Sequence, residues 1–305
     1  MNTVVSAKII ADSYHNIPSV DNSGSLTILD SRITTFELEY PRFIHSELMT
    51  HRSFSRNSAS SRAIPVEKVL QLVAESPAMP LRFGINKPGM QSTEWADEKT
   101  QKAAEAAWLE ARDYASACVK IMQELKIHKQ FSNRLLEPFQ TMKVVVTSTD
   151  FENWFDLRAH PDAQPEIRCL AEKMQNLYLG NRPVYFKNKY CWHLPYYNEI
   201  GAYLDDQGNT SDVYAEELDE ARKISASLCA QVSYRSRNDT IDKAIEIYNK
   251  LVSMRPMHAS PFEHQACPLK SPVTQAWTHY DRKGNYWSGN FQSWEQYRQI
   301  LVQDI

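Results

Sequence analysis

The chain contains few glycines and no glycine-rich loop of the kind that binds nucleotides. Only 8 of its 305 residues are glycine, and neither GxGxxG nor a P-loop motif occurs. A nucleotide cofactor, if one binds, is therefore not held by a Rossmann turn. HExxH and similar spacings of histidine and carboxylate residues are also missing, and the spacing of His258 and His264 does not put both on one helical face. These absences disfavour a metal hydrolase.

An excess of basic residues and a long apolar run are missing as well. Lysine and arginine total 34 against 37 acidic residues, for a net charge of −3, which disfavours nonspecific nucleic-acid binding. No apolar run reaches the length that spans a bilayer, and the first residues lack the features of a signal peptide. The five cysteines are widely spaced without a CxxC pair, so we expect reduced thiols in a cytoplasmic protein.

The pattern of apolar residues predicts an α/β fold class with a mixed β-sheet packed by long helices. Strands are expected at residues 7–11, 34–40 and 143–147, and helices at 43–49, 66–74, 93–126, 213–230 and 239–254. Residues 12–31 are rich in turn formers, and 77–89 hold so many helix and strand breakers that an ordered loop or lid is expected. The longest helix has an apolar stripe from Trp108 to Leu125, and the tail is expected to end in an aromatic amphipathic helix.

The most informative stretch is Thr50–Arg62, which is rich in hydrogen-bond donors. It contains six hydroxyls, one amide, one imidazole and three guanidiniums, with one aromatic residue and no acid. Hydroxyls and guanidinium groups bind anionic oxygens, and arginine can grip a phosphate in two places at once. The composition therefore indicates an anion-binding segment, although a solvated basic turn is the ordinary structural alternative.

Two other segments carry polar residues in unusual settings. Arg158 lies between Leu157 and a turn, so it is expected to need a buried acceptor, either Glu166 or a ligand carbonyl. Cys191 has His193 two residues on, which would suit a nucleophilic thiolate, but a buried structural thiol is the more common case.

The order of these residues resembles the signature of the flavin-dependent thymidylate synthases (the ThyX family). That signature reads Arg-His-Arg-x7-Ser, and Thr50 replaces its first arginine. Residues 35–44 are similar to the family's approach to this motif, and 153–167 to its Asn-x4-Arg-x5-Gln-x-Glu-Ile stretch. Residues 229–234 and 258–264 resemble elements that precede the basic motif in the usual members. We therefore expect a circularly permuted, single-domain protein over 1–305, in which 225–305 corresponds to the usual N-terminal part.

The resemblance implies an FAD-dependent enzyme that transfers a one-carbon unit from methylenetetrahydrofolate to C5 of dUMP, with NADPH as reductant. It also implies a cytoplasmic homotetramer with shared active sites and with no membrane or nucleic-acid partner. Arg158 takes the catalytic role and contacts the pyrimidine carbonyl. The implied substrate-binding residues are Glu47, Ser60, Ser61, Arg62 and Arg134. The implied flavin-binding residues are His51, Arg52, Ser53, Ser55, Asn57, Asn153, Asp162, Ser233, Ser260 and His264, and no metal is expected.

Departures from the family pattern leave other products open. Glu47 stands where glutamine is usual, Ser58 where glutamate or glutamine is common, and Asp162 where a flavin-contacting histidine is expected. A changed ring pocket would suit C5 hydroxymethylation or hydroxylation of dCMP or dUMP for modified-DNA synthesis. A further alternative is a module that binds single-stranded nucleic acid through the basic stretch and Phe54.

Overall fold

The computed structural model of the protein describes residues 3–20, 26–187, 191–197, 215–232, 240–269, 277–282 and 285–303. Its centre is a five-stranded sheet in the order β3-β4-β2-β1-β5. The first four strands pair antiparallel, and β5 runs parallel to β1. This mixed sheet between helices confirms the predicted fold class. The strands are β1 (Ser6–Val20), β2 (Leu26–Pro41), β3 (Ser55–Ser58), β4 (Thr141–Ser148) and β5 (Val184–Tyr185).

The first two strands are much longer than the sequence predicted. Most of the polar stretch 12–31 is strand and not turn, because its polar side chains bond across the sheet. Arg32 donates from Nε and Nη2 to the carboxylate of Asp12, at 2.9 and 2.6 Å. Thr34 Oγ1 donates to the same carboxylate at 2.8 Å. These contacts compensate for burying charge, so a polar sequence can stay extended.

Helices cover one face of the sheet, and these are α5 (Glu152–Arg158) and α6 (Pro165–Gly180). Alternate residues of β2 and β4 face them, as the two-residue period of a strand requires. The largest hydrophobic cluster forms here from Phe36, Leu38, Val144, Val146, Trp154, Ile167, Leu170 and Met174. Val145 points to the opposite face, where it joins a second cluster with Ile224 and Leu228 of α7 (Ala215–Gln231). Because β4 is buried on both sides, its run of valines was a clear signal of a strand.

The N-terminal half carries further helices at the edge of the sheet. A 3₁₀ turn (Arg42–Ile44) leads into the short helix α1 (His45–Met49), where one helix was predicted. The other helices are α2 (Val66–Glu75), α3 (Glu98–Glu124) and α4 (Lys129–Ser132), and α4 is followed by a 3₁₀ turn (Asn133–Phe139).

Helix α3 is less buried than its apolar stripe predicted. Trp108 packs against Phe139, but Leu125 and the neighbouring Tyr114 and Ile121 are exposed in the single chain. The only residue of this helix that is fully buried is Val119. Within the described part of the chain, no helix is both long and apolar enough to cross a bilayer.

The C-terminal segment packs on the α7 face of the sheet. It contains α8 (Ile241–Ser253), a 3₁₀ turn (Ser260–Glu263), five short strands and a last helix α9 (Tyr297–Gln303). The strands are β6 (Ala266–Pro268), β7 (His279–Tyr280), β8 (Tyr286–Ser288), β9 (Phe291–Gln292) and β10 (Trp294–Gln296). The helix expected at the end of the tail (287–298) begins only at Tyr297, and the aromatic residues before it lie in short strands. Gly289 and Ser293 have positive φ angles of 62° and 63°, which turn the chain between strands instead.

Candidate active site

Arg158, at the end of α5, is fixed by three side chains from one helical turn. Its Nε donates to Nε2 of His51 at 3.1 Å, and its Nη1 to Oε2 of Glu47 at 2.9 Å. Its Nη2 donates to Oγ1 of Thr50 at 3.2 Å. Residues 47, 50 and 51 are spaced i, i+3 and i+4, so the end of α1 presents all three on one face. Glu166 was considered as the structural partner of Arg158, and this expectation was wrong. The carboxylate of Glu166 accepts instead from the backbone N–H of Leu81, at 2.6 Å.

His51 accepts a hydrogen bond from Arg158 and is therefore neutral. A guanidinium can only donate, so Nε2 of His51 is unprotonated and Nδ1 carries the ring proton. Burial, together with the charges of Arg158 and Arg56, lowers the pKa of His51 to about 4. The ring packs against Phe54 and the edge of Trp154, with centroid distances of 5.7 and 4.8 Å. This aromatic box holds the imidazole in place.

A cavity of about 850 Å³ opens beside Arg158. One side is formed by Glu47 and by the connection from α5 to α6. The other side is formed by residues of the 77–96 loop, including Arg82 and Trp95. The ordered loop predicted from the prolines and glycines therefore forms a wall of this cavity. Its volume is in the range of small-molecule sites.

The residues expected to bind phosphate lie in a second cluster, around Glu137. Oε1 of Glu137 accepts from Ser61 Oγ at 2.7 Å and from Arg134 Nη1 at 3.2 Å. Arg42 Nη2 lies 3.0 Å from the same oxygen. Ser60 is half-buried and Arg62 is exposed. His51, which bonds Arg158, precedes β3, and Ser60 follows it. The four residues of β3 span about 13 Å, and this length separates the cluster from Arg158.

Several residues expected to bind the flavin contact the C-terminal segment. Asn57 Nδ2 donates to the carbonyl of Cys229 at 2.6 Å, and Ser260 Oγ donates to Asn57 Oδ1 at 3.2 Å. Ser55 Oγ donates to Asn290 Oδ1 at 3.0 Å, and Asn290 Nδ2 donates to the carbonyl of Ser53 at 3.0 Å. The structure thus brings these residues together, but with their polar atoms engaged within the chain.

His264 ends a chain of buried hydrogen bonds across the sheet. Ser13 Oγ bonds Nδ1 of His193 at 3.0 Å, and Nε2 of His193 bonds Thr35 Oγ1 at 2.7 Å. Thr35 Oγ1 bonds Thr147 Oγ1 at 2.7 Å, and Thr147 Oγ1 bonds Nδ1 of His264 at 2.8 Å. Burial lowers the pKa of both histidines to about 3. Within the described residues, Nε2 of His264 has no partner.

The remaining predicted residues lie at the surface or outside the described ranges. Arg52, Asn153 and Asp162 are exposed, and the backbone N–H of Asp162 donates to His160 at 3.2 Å. Ser233 lies outside the described residues. Both ring nitrogens of His193 are engaged, so it does not activate Cys191, which packs beside a hydrophobic cluster that includes Trp294. The structural explanation therefore accounts for this cysteine.

Comparison with known families decides the relationship. Residues 12–184 match the model of the family described as thymidylate synthase complementing protein, Thy1, which is more than half of the chain. The chain belongs to the Thy1 family. The matched region includes the basic stretch, Arg134 and Arg158. Membership of the Thy1 family supports an enzyme that modifies a pyrimidine nucleotide at C5.

The comparisons with solved structures and with curated proteins add no argument to the Thy1 assignment. Two crystal structures of the UMP/dUMP methylase PolB from Streptomyces cacaoi, bound with 5-Br UMP and 5-Br dUMP, are similar at 15% identity and a TM-score of 0.45. The similarity covers 58% of this chain and 89% and 90% of those chains, respectively. No curated protein matches the chain.

Sequence reasoning missed the structural role of several residues of this candidate site. Thr147 bonds His264, and Thr35 and His193 continue the same chain of hydrogen bonds. Arg82 and Trp95 form the far wall of the cavity. The two threonines lie within strands, where threonine is common, so the sequence does not mark them as functional. The breaker-rich loop predicted at 77–89 was a signal for Arg82, whereas Trp95 was predicted to lie in the long helix, which begins only at Glu98.

Proposed function

We propose that the protein is a flavin-dependent enzyme that transfers a one-carbon unit from methylenetetrahydrofolate to C5 of dUMP, giving dTMP. The observation that carries the proposal is the fixed guanidinium of Arg158 at the cavity. Arginine has five N–H groups, and three of them are used by Glu47, Thr50 and His51. One N–H on each terminal nitrogen is left for a ligand. Two such donors suit a pyrimidine carbonyl.

Arg158 would stabilise the charge that develops during the reaction. Addition of a nucleophile or hydride at C6 of the ring makes C5 nucleophilic and places negative charge on a ring carbonyl oxygen. A preorganised donor at that oxygen lowers the barrier because it needs no reorientation at the moment of reaction. Glu47 and neutral His51 supply this preorganisation, since they hold the guanidinium from two sides.

The flavin-binding set fits a cofactor in part. An outer group, consisting of His51, Arg52 and Asn153, lies around the start of β3 and the start of α5, and both Arg52 and Asn153 are exposed. Their donors suit the phosphates and ring of FAD. An inner group of Ser55, Asn57, Ser260 and His264 is engaged within the chain, except for the unpartnered Nε2 of His264. When bound, reduced FAD would supply the hydride, with NADPH as the source of electrons.

The separation of the two clusters supports a shared active site. Ser60, Ser61, Arg62 and Arg134 lie beyond β3 from Arg158, so we infer that a neighbouring subunit supplies the phosphate contacts in a homotetramer. The exposed apolar residues of α3, Tyr114, Ile121 and Leu125, suit burial between subunits.

The contacts of the C-terminal segment support the permuted single domain. Asn57 in the basic stretch bonds Cys229 and Ser260, and Thr147 bonds His264. These partners come from the two stretches that resemble the elements usually found before the basic motif. We infer that 225–305 takes the place of that N-terminal part, as a permutation would require.

C5 hydroxymethylation or hydroxylation of dCMP or dUMP is the second candidate. Glu47, a carboxylate at Arg158, can accept a hydrogen bond from the exocyclic amine of cytosine. The single-stranded nucleic-acid alternative is weakened, because Phe54 is 3% exposed and cannot stack on a base.

The first test is an absorbance spectrum of the pure protein. It is followed by anaerobic incubation with NADPH, methylenetetrahydrofolate and either dUMP or dCMP. Flavin bands with a 5-methyl product from dUMP are expected. A hydroxymethyl product, or turnover of dCMP alone, would favour the second candidate. A colourless protein that takes up no added FAD would overturn the flavoenzyme proposal.

A further inference from the structure

The 77–96 loop is firmly built although it contains little regular structure. Phe83 is held by Gln101 of α3 through two hydrogen bonds, of 2.8 Å to its N–H and 2.7 Å to its carbonyl. The two arms of the loop pair at Gly84 and Trp95, and Ile85 N–H donates to the carbonyl of Glu94 at 2.8 Å. These bonds fix the positions of the side chains that the loop presents to the cavity.

The guanidinium of Arg82 lies over the indole of Trp95 at the rim of this cavity. The distance from its Cζ to the ring centroid is 3.3 Å, which is a close cation–π contact. Both side chains line the same cavity as Arg158. Stacking occupies one face of the guanidinium and leaves the N–H groups at its edge free to donate.

The charge of Arg82 has no acidic partner in the part of the chain that the structure describes. The other two arginines of the cavity are paired, Arg158 with Glu47 and Arg168 with Glu172. Lys87, in the same loop, pairs with Glu94. The lining also contains carboxylates, so the cavity as a whole is not basic. Among the arginines of the lining, Arg82 is therefore the one that no described carboxylate contacts.

We propose that Arg82, stacked on Trp95, is a second binding point of the Arg158 cavity and takes an anionic group of the ligand. A phosphate or a carboxylate would accept from the edge of the guanidinium, while the reacting ring lies at Arg158. The identity of the ligand rests on the proposed function: the anion is the phosphate of the nucleotide or a glutamate carboxylate of the folate. The anion-binding point itself rests on the geometry of Arg82, Trp95 and the loop.

The test measures binding of paired ligands to the full-length protein by titration calorimetry. The first pair is dUMP and deoxyuridine, which lacks the phosphate. The second pair is tetrahydrofolate and its diamide, in which both glutamate carboxylates are replaced by neutral amides. Arg82→Ala should weaken the anionic member of one pair about tenfold and leave its uncharged analogue unchanged. Arg82→Lys keeps the charge but loses the planar stack, so it should lie between Arg82→Ala and the unmodified protein.

Lys87→Ala is the matched control. It removes one positive charge from the same loop, at a residue outside the cavity, and should leave all four affinities unchanged. If Arg82→Ala weakens neither anionic ligand, or weakens each ligand and its analogue equally, the binding point is overturned while the proposed function stands. If only the folate binds and Arg82→Ala weakens it selectively, the binding point stands without a nucleotide substrate. If the unmodified protein binds no anionic ligand, both proposals fail.

Discussion

Arg158 Nε and His51 Nε2 lie 3.1 Å apart, although the two residues are separated by 107 positions in the chain. The contact fixes both the direction of the guanidinium and the protonation state of the imidazole. A histidine that accepts from arginine cannot be protonated without losing the bond. The orientation of Arg158 therefore depends on a neutral His51.

Replacing Arg158 should remove turnover without removing the cofactor. Arg158→Ala deletes the donors that would stabilise the ring oxygen, and losses at such positions are about 10²–10³-fold in kcat. Steady-state kinetics and the flavin absorbance of the same preparation check this. Arg168→Ala, at a paired arginine of the same cavity, is the control and should retain most activity. Normal turnover in Arg158→Ala would exclude Arg158 from the mechanism.

Acid should destabilise the fold through its buried histidines. His51 has a pKa lowered to about 4, against 6.5 in an unfolded chain, so the unfolded state binds more protons between these values. The contribution of His51 to the free energy of unfolding should therefore be full above pH 6.5. It should decrease as the pH falls towards 4 and change no further below that. Each such histidine can contribute up to about 1.4 kcal/mol per pH unit within this window.

Urea unfolding at pH values from 7 to 5 measures this effect. His51→Gln keeps an acceptor for Arg158 but does not titrate, so its stability should vary less with pH. His193 and His264 have pKa values lowered to about 3 and act in the same direction, so part of the slope should remain. An unchanged slope in His51→Gln would show that His51 is not buried in the neutral form.

The buried hydrogen-bond chain should be sensitive to removal of one hydroxyl. Thr147→Val keeps the shape of the side chain but removes the partner of Nδ1 of His264 and leaves Thr35 with only His193. An unsatisfied buried polar group costs about 1–3 kcal/mol. Thr141→Val, on the same strand, removes only a 3.4 Å contact to Glu39 and should change stability by less than about 0.5 kcal/mol. Equal midpoints of urea unfolding for the two variants would contradict the role of the chain.

The buried ion pair between β1 and β2 should contribute far more than a surface pair. Asp12 is 7% exposed and accepts from Arg32, Thr34 and Asn181. Asp12→Ala removes the only carboxylate that pairs with Arg32 among the described residues and leaves the carbonyl of Tyr178 as its acceptor, which should cost about 3–5 kcal/mol. Glu98→Ala breaks an exposed pair with Lys102 and should cost less than about 1 kcal/mol. Thermal unfolding of both variants compares the two losses.

The parts of the fold that local patterns control were predictable. The valine run of β4 indicated a buried strand, and the helices α2, α7 and α8 lie within a few residues of their predicted bounds. Where the partners of a residue are distant along the chain, the local pattern predicted the wrong structure. The polar half of β1 looked like a turn because Arg32, which neutralises Asp12, comes 20 residues later. The helix expected at the end of the tail begins only at Tyr297, because turns at Gly289 and Ser293 place the preceding aromatic residues in short strands.

The sequence by itself determined the family and the mixed α/β class, because these depend on residue types and on their spacing along the chain. Tertiary structure alone decided that Glu47, and not Glu166, holds Arg158, and that the expected phosphate contacts lie beyond β3. It also decided that Arg82 stacks on Trp95 and that a chain of hydrogen bonds connects His193 to His264. The physical reason is that hydrogen bonds and ion pairs act over about 3 Å in space. Residues a hundred positions apart carry no local trace of such a contact.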